Sequence, residues 1–198
     1  MPRFSVIVVD CETHTPREDA RRGVASICEQ TFRDFEVIFV HDGVKRTSYE
    51  VEFDLGTIEQ VKTLYTKKRF GDWGHSLRDY GMRIADGDFI LNFNIDNLLY
   101  PDCLEKVNAR LDATPRPEMV IFSVIHHKNK TRRFNSVLTG RPVEVGHIDC
   151  LQVVASKSAW EAIGYWHRTE YEADGLLYAQ LSAEYEPAYL EEILAENF

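Results

Sequence analysis

The chain has 198 residues, enough to bury one good core, so a single domain is expected. Its 32 Asp and Glu exceed its 23 Lys and Arg, and the formal charge of −9 excludes a nucleic-acid groove, because phosphate backbones require clustered cations. No apolar run reaches membrane-spanning length and no signal-peptide pattern opens the chain; with four scattered cysteines and no Cys-x-x-Cys pair, a cytoplasmic protein with reduced thiols and no membrane span is expected.

Phe4 to Val9 is β-branched and apolar enough for a strand covered on both faces, and it runs into Asp10-Cys11-Glu12-Thr13-His14. Thr15-Pro16-Arg17-Glu18 has the form of a capping box, and Ala20, Val24, Ile27 and Cys28 follow at helical spacing. Glu36 to Val40 is a second strand, ending in His41-Asp42-Gly43; strand, helix, strand with short joints makes a right-handed parallel crossover. Residues 44–60 read as a loop with a short helix, Gln60 to Tyr65 as a third strand, and Arg69 to Gly74 as a glycine-bracketed aromatic loop. Leu77, Gly81, Ile84 and Ala85 mark one face of a helix that Gly87 stops.

The central strand is Phe89 to Phe93, and it ends in Asn94-Ile95-Asp96-Asn97 just before Tyr100-Pro101-Asp102. Ligands gather beyond the carboxyl ends of open α/β sheets, where a carboxylate and two amides suit a divalent cation and its phosphates. Taken alone, the cluster reads first as a polar turn.

Pro101 opens a helix with Leu104, Val107 and Leu111 inward, and Met119 to Ile125 is a long apolar strand. The one basic run, Lys128 to Arg133, reads as a solvated loop or as a contact for an anionic acceptor or membrane surface. Ser136 to Leu138 and Val143 to Val145 suggest a small antiparallel excursion. Leu151 to Ala155 returns to the sheet, Ser158 caps a short helix closed by Gly164, and Tyr165 to Tyr171 is an aromatic loop. A helix runs from Glu172, and Pro187 starts a last amphipathic segment.

Five stretches resemble, in order and spacing, the GT-A glycosyltransferases, specifically the family-two sugar transferases. They are the first strand, Ser26 to Phe32 with its Gln30-Thr31-Phe32, Phe35 to Gly43, Gly74 to Gly81, and Ala85 to Pro101 with its Asn94-Ile95-Asp96. Together they cover nearly all of the first 110 residues; each alone is weak, and the set is specific. The resemblance implies an α/β fold of GT-A (Rossmann-like) type, mostly parallel with flanking helices. It implies one domain over 1–198, with a nucleotide-binding half over 1–110 and an acceptor-binding half over 111–198. The implied reaction is inverting transfer of a sugar from a UDP-sugar donor to a carbohydrate or glycan hydroxyl, assisted by Mn²⁺ or Mg²⁺.

The resemblance also implies roles. Asp10 and Glu12 match the region that meets the nucleoside, Asp42 the uracil-binding Asp, and Arg78 the helix Arg near base and phosphates, with His75 at that helix start near the diphosphate. Asp96 matches the metal-site Asp. The family's preceding Asp is here Asn94, which has one less negative charge to offer a cation. For the base that takes the acceptor's proton, Asp174 fits the family's late pattern and Glu172 is the runner-up. His147 and Asp149 stand where acceptor or sugar contacts are expected, His126 and His127 could reach the metal, and Trp166 is a candidate sugar-stacking ring, with Trp160 in the core. A non-catalytic nucleotide- or glycan-binding module of the same fold is the alternative function; a sugar nucleotidyltransferase lacks its Gly-rich loop here. The chain is shorter than most relatives at its C-terminus, so it is expected to be part of a larger polypeptide.

Overall fold

The computed structural model describes residues 1–45, 47–128 and 133–198. Most of the basic run, 129–132, lies outside the described residues. Every residue of β1 (Phe4–Asp10) and β2 (Phe35–His41) is buried, as expected for strands covered on both faces. Side chains alternate across a strand, so Phe4, Val6 and Val8 enter one core while Ile7 and Val9 enter another. The first core is closed by α1 (Arg17–Cys28), α2 (Tyr49–Glu52) and α4 (Cys103–Leu111), through Val24, Ile27, Tyr49, Leu104 and Val107. The second is closed by α3 (His75–Arg83), α5 (Lys157–Ala162) and α6 (Ala173–Glu184), through Leu77, Met82, Trp160, Leu177 and Leu181.

β3 (Gln60–Tyr65), β2, β1 and β4 (Phe89–Asn94) lie parallel in that spatial order. Beyond β4 the sheet continues through β8 (Val153–Ser156), β6 (Met119–His126), β9 (Ala188–Asn197) and β5 (Leu98–Leu99). Pairing there is antiparallel except between β6 and β9, and β7 (Ser136–Leu138) adds antiparallel to β6. From β1 the chain winds outward to β2 and β3, then crosses back to place β4 on the other side. That reversal opens a crevice at the carboxyl ends of β1 and β4.

The Gln30 motif holds the crevice floor. Buried Gln30 donates to the Ser26 and Tyr100 carbonyls at 3.0 and 2.9 Å and accepts from Leu104 N at 3.1 Å, while Ser26 Oγ accepts from Leu99 N at 3.1 Å. These bonds lock α1 to the segment that follows Asp96.

Several local features depart from the sequence expectations. Thr15 makes no cap: Pro16 is the N-cap without a side-chain bond, and Arg17 turns its guanidinium to Asp10 instead. Residues 143–145 form no strand, because Glu144 N and His147 N close turns on the Pro142 and Glu144 carbonyls. A 3-10 turn, Cys150–Gln152, precedes β8, capped by Asp149 and Gln152 bonding reciprocally. Ser156, rather than Ser158, caps α5, and the segment after Pro187 is the strand β9. All four cysteines are free, and among the described residues no helix is long and apolar enough to cross a membrane.

A Cβ on Gly23 would lie 1.9 Å from the Ile95 carbonyl oxygen and 2.8 Å from that of Asn97, so α1 presses directly on the loop bearing Asp96. Gly23→Ala is therefore expected to lower stability by about 1–3 kcal/mol in urea unfolding; an unchanged midpoint would contradict this contact.

Candidate functional site

Two adjoining clefts open at the carboxyl ends of the central strands. The smaller, about 390 Å³, is lined by Asp10, His14, Asp42, Arg69, Trp73, Asn94 and Asp96 among others. Asp10, ending β1, is buried and receives Arg17 through two bonds at 2.8 and 3.2 Å and Tyr49 Oη at 2.9 Å, with His41 Nδ1 at 3.3 Å. Burial opposes its charge, but His41, Arg17 and Tyr49 outweigh burial and hold the carboxyl far below the usual range. Asp10 is thus an ionised anchor under the cleft. Glu12 is exposed, does not line the cleft, and pairs with Lys45 at 2.8 Å, which lowers its pKa.

Asp42 follows β2 and accepts from the backbone N–H groups of Phe70 and Gly71 at 2.7 and 3.1 Å, one on each oxygen. It therefore shapes the glycine-bracketed loop, and each oxygen keeps acceptor capacity. Asp96 lies in the loop after β4. Burial, with the charges of Asp19 and Asp10, raises its pKa above the ordinary value, against the charge of Arg22.

The larger cleft, about 610 Å³, is lined by His75, Arg78, His126, Asp149, Tyr171, Glu172 and Asp174 among others, and it shares Trp73 and Asn94 with the first. Arg78 is only 2% exposed. Its Nη1 donates to the Trp73 carbonyl at 2.9 Å and its Nη2 to Asn94 Oδ1 at 2.5 Å, with the guanidinium 5.1 Å from the Trp166 ring. Among the described residues no carboxylate lies within ion-pair distance of it, so a buried positive charge faces the site without a direct counterion.

Asp174, in the first turn of α6, has its pKa pushed up to about 6, by burial first and then by the charge of Asp149. The Gly175 N–H at 2.8 Å and the charge of Arg78 oppose the rise. Buried Asp149 goes the other way: His126, 2.9 Å from it, outweighs burial and lowers its pKa. Two acids in one cleft are thus separated, one ionised and one poised near neutrality. Glu172 is exposed at the N-cap of α6. His75 is buried, accepts from Trp166 Nε1 at 3.0 Å, and is kept neutral, its pKa lowered to about 4 by burial and by Arg78.

The expected site residues are therefore divided between two spaces. Asp10, Asp42 and Asp96 gather in one cleft; Arg78, His75, Glu172 and Asp174 line the other; Asn94 borders both; Glu12 stands aside. Arg78 does not line the space holding Asp42 and Asp96, because it turns into the core beneath Trp73. Trp166 is core, 2% exposed and stacked on His75 and Trp160, so it offers no sugar platform. Neither His126, which pairs with Asp149, nor His127, which pairs with Glu196, lines the cleft of Asp96, and exposed His147 pairs with Glu144. Arg17, Lys45, Arg69 and His14 were not singled out from the sequence. Arg69 had a signal, its place in the glycine-bracketed loop, whereas Arg17 and Lys45 reach the site only through folding.

Among the described residues no three Asp, Glu, His or Cys side chains converge on a point that could hold a metal. Asp96 offers one carboxylate, and the Asn94 oxygen is taken by Arg78. This donor set suits a cation that arrives with diphosphate oxygens and water as its other ligands, not a preformed protein cage.

The family model for glycosyl transferase family 2 matches residues 5–164. Among solved structures, residues 1–349 of S. aureus TarS align with a TM-score of 0.78 at 16% identity, covering 98% of this chain and 60% of that one. The same fragment in complex with UDP gives 0.76 at 16% identity, with the same coverage of 98% and 60%. The mannosyltransferase PcManGT from Pyrobaculum calidifontis, in complex with GDP-Man and Mn²⁺, gives 0.72 at 17% identity, covering 99% and 56%. The chain spans 60% or less of the length of each of these structures, and at such identities the likeness is one of fold. With its GT-A-like sheet and a family match running from β1 past α5, the chain belongs to glycosyl transferase family 2.

Proposed function

We propose that this domain transfers a sugar from a UDP-sugar to a carbohydrate hydroxyl with inversion at the anomeric carbon, Asp174 acting as general base. The observation that carries the reading is the placement of Asp174, its pKa near 6, in a cleft that shares Asn94 and Trp73 with the one holding Asp42 and Asp96. UDP and UDP-GlcNAc occur in complexes of TarS, which supports a uridine nucleotide donor; the GDP-Man complex of PcManGT makes a guanosine donor the competitor to test.

In this reading the smaller cleft takes the nucleotide. Asp42 accepts from the uracil imide beside the ionised Asp10, and the diphosphate reaches the junction at Asn94 and Trp73, where the Arg78 guanidinium and neutral His75 meet it from the larger cleft, while Glu12 stays outside. Asp96, with phosphate oxygens, would hold Mn²⁺ or Mg²⁺, which neutralises charge on the leaving diphosphate. The acceptor occupies the larger cleft. Its hydroxyl oxygen bonds to the anomeric carbon as the bond from that carbon to the phosphate oxygen breaks; the proton passes to Asp174 and the electron pair leaves with UDP. A base with a pKa near 6 is largely ionised at neutral pH and still accepts a proton in the transition state. Glu172, at the exposed helix start, is the second candidate.

Asp174→Asn is expected to lower kcat by about 10²–10⁴-fold in a UDP-sugar panel assay with Mn²⁺, leaving UDP affinity by calorimetry unchanged. If Glu172→Gln is inactive and Asp174→Asn is not, the base is Glu172. UDP binding without turnover of any UDP- or GDP-sugar would instead favour the non-catalytic module, for which Asn94 in place of the family Asp is the supporting feature.

The groups around Asp174 are Asp149, Arg78, Cys150, Tyr178 and, on its own helix, Glu172. Activity should fall as pH drops through about 6, where Asp174 protonates, and Asp149→Asn should move that acid limb to lower pH by removing the charge that raises it. An unmoved limb would separate Asp174 from Asp149. Linkage gives a second sign. A carboxyl whose pKa is raised on folding stabilises the fold while protonated, and that contribution is lost as pH rises through about 6. At pH 8 Asp174→Asn should therefore unfold at higher urea, with a gain of about 1–3 kcal/mol, while losing activity.

A further inference from the structure

We propose that Trp73 and Tyr171 form a stacking platform for the pyranose ring of the acceptor. This rests on the assignment of the larger cleft to the acceptor. Both rings line that cleft with Asp174, and they are among the most exposed large aromatics of the chain, 62% and 70%. They meet edge to face, 5.6 Å between centroids, although 98 residues separate them (171 − 73). Two large apolar rings held together at the mouth of a polar cleft form an exposed patch of the kind that marks a binding site.

The backbone at Trp73 points the same way. Its φ is +55°, a left-handed conformation that a bulky residue rarely adopts and that costs of order 1–3 kcal/mol. The strain is maintained by Arg78, which takes the Trp73 carbonyl at 2.9 Å, and by the left-handed glycines at 71 and 74, which let the loop turn on either side. The consequence is a ring directed outward at the junction of the two clefts rather than packed into the core. Tyr171 lies three residues before Asp174, so one loop-to-helix turn presents both the ring and the carboxyl.

A pyranose has a face of axial C–H groups and a rim of hydroxyls. Laid by its C–H face on one ring and flanked by the other, which stands at 73° to it, it keeps the rim free to reach Asp174. The acceptor sugar is favoured over the donor sugar because Tyr171 lines only the larger cleft, whereas Trp73 borders both.

The test is saturation-transfer NMR on the whole chain with the methyl pyranosides of glucose, galactose, mannose and N-acetylglucosamine, with and without saturating UDP, and sorbitol as a ringless control. At least one pyranoside is expected to take up saturation on its ring C–H protons, and sorbitol none. The signal should fall at least fivefold in Tyr171→Ala and in Trp73→Asn, whose side chain tolerates the left-handed backbone, and persist in Trp73→Phe. If the Trp73 variants fail to fold, Tyr171→Ala, at a 70% exposed side chain, decides alone. No ring-proton signal from any pyranoside, or a signal that survives loss of either ring, overturns the platform. Saturation of the sugar of UDP-GlcNAc that needs Trp73 but not Tyr171 overturns the acceptor assignment in favour of the donor sugar. Failure of UDP to bind, by calorimetry, strikes the nucleotide reading instead, while the UDP-free pyranoside measurement still judges the platform.

Discussion

The site is organised around one buried guanidinium. Arg78 reaches from α3 to the carbonyl of Trp73, to the amide oxygen of Asn94 at the end of β4, and to within 3.5 Å of the Cys150 sulfur. The Trp73 contact is local, but Asn94 and Cys150 lie on segments that converge only when the sheet has formed, so Arg78 holds the wall between the two clefts. Burying an arginine without a directly bonded carboxylate is unfavourable; here two neutral oxygens and a sulfur take its Nη donors, while its buried Nε has no partner. The charge itself remains available, and it acts on Asp174 and Asp149 from a distance.

That arrangement explains why the acids of the second cleft differ. Asp149 is ionised because His126, Asn197 and the Leu151 N–H all bond its oxygens. Asp174 has only backbone donors, the Gly175 N–H and its own, with the Asp149 charge nearby, so burial dominates and its proton affinity rises. In the first cleft Asp10, ringed by Arg17, His41 and Tyr49, is fixed in its charge, whereas Asp96 has no comparable set of donors and its proton affinity is raised by burial. Each space thus contains a carboxyl whose proton affinity is lowered, Asp10 or Asp149, and one whose proton affinity is raised, Asp96 or Asp174.

The motifs that identify the family contribute differently to this geometry. Gln30 and Ser26 touch no cleft; they clamp α1 to the backbone after Asp96, and Gly23 allows the helix to approach that closely. Asp42, matched on sequence to a base-binding position, also closes the loop of Phe70 and Gly71, so the loop that carries Trp73 is anchored by a residue of the smaller cleft. The polar turn and the binding site, which read as competing interpretations of these residues, are compatible, since a carboxylate has oxygens enough for both.

The continuous apolar runs of Phe4 to Val9 and Glu36 to Val40, helical spacing in Ala20, Val24 and Ile27, and the polar ends of the strands were sufficient to foresee the parallel half, since each signal is local. The same local signals placed Asp10, Asp42, Asn94 and Asp96 at strand ends, and so in one crevice. Local signals failed where partners are distant. The segment at 143–145 alternates like a strand but finds no edge to join, the capping box expected at Thr15 does not form while Arg17 turns to Asp10, and Trp166 and Trp73, equal as letters, separate into core and surface. The chain's own order thus determined which chemistry stands at the ends of the strands. Only tertiary packing decided which cleft each side chain enters and what charge it carries, because burial and the field of remote groups are properties of the assembled fold.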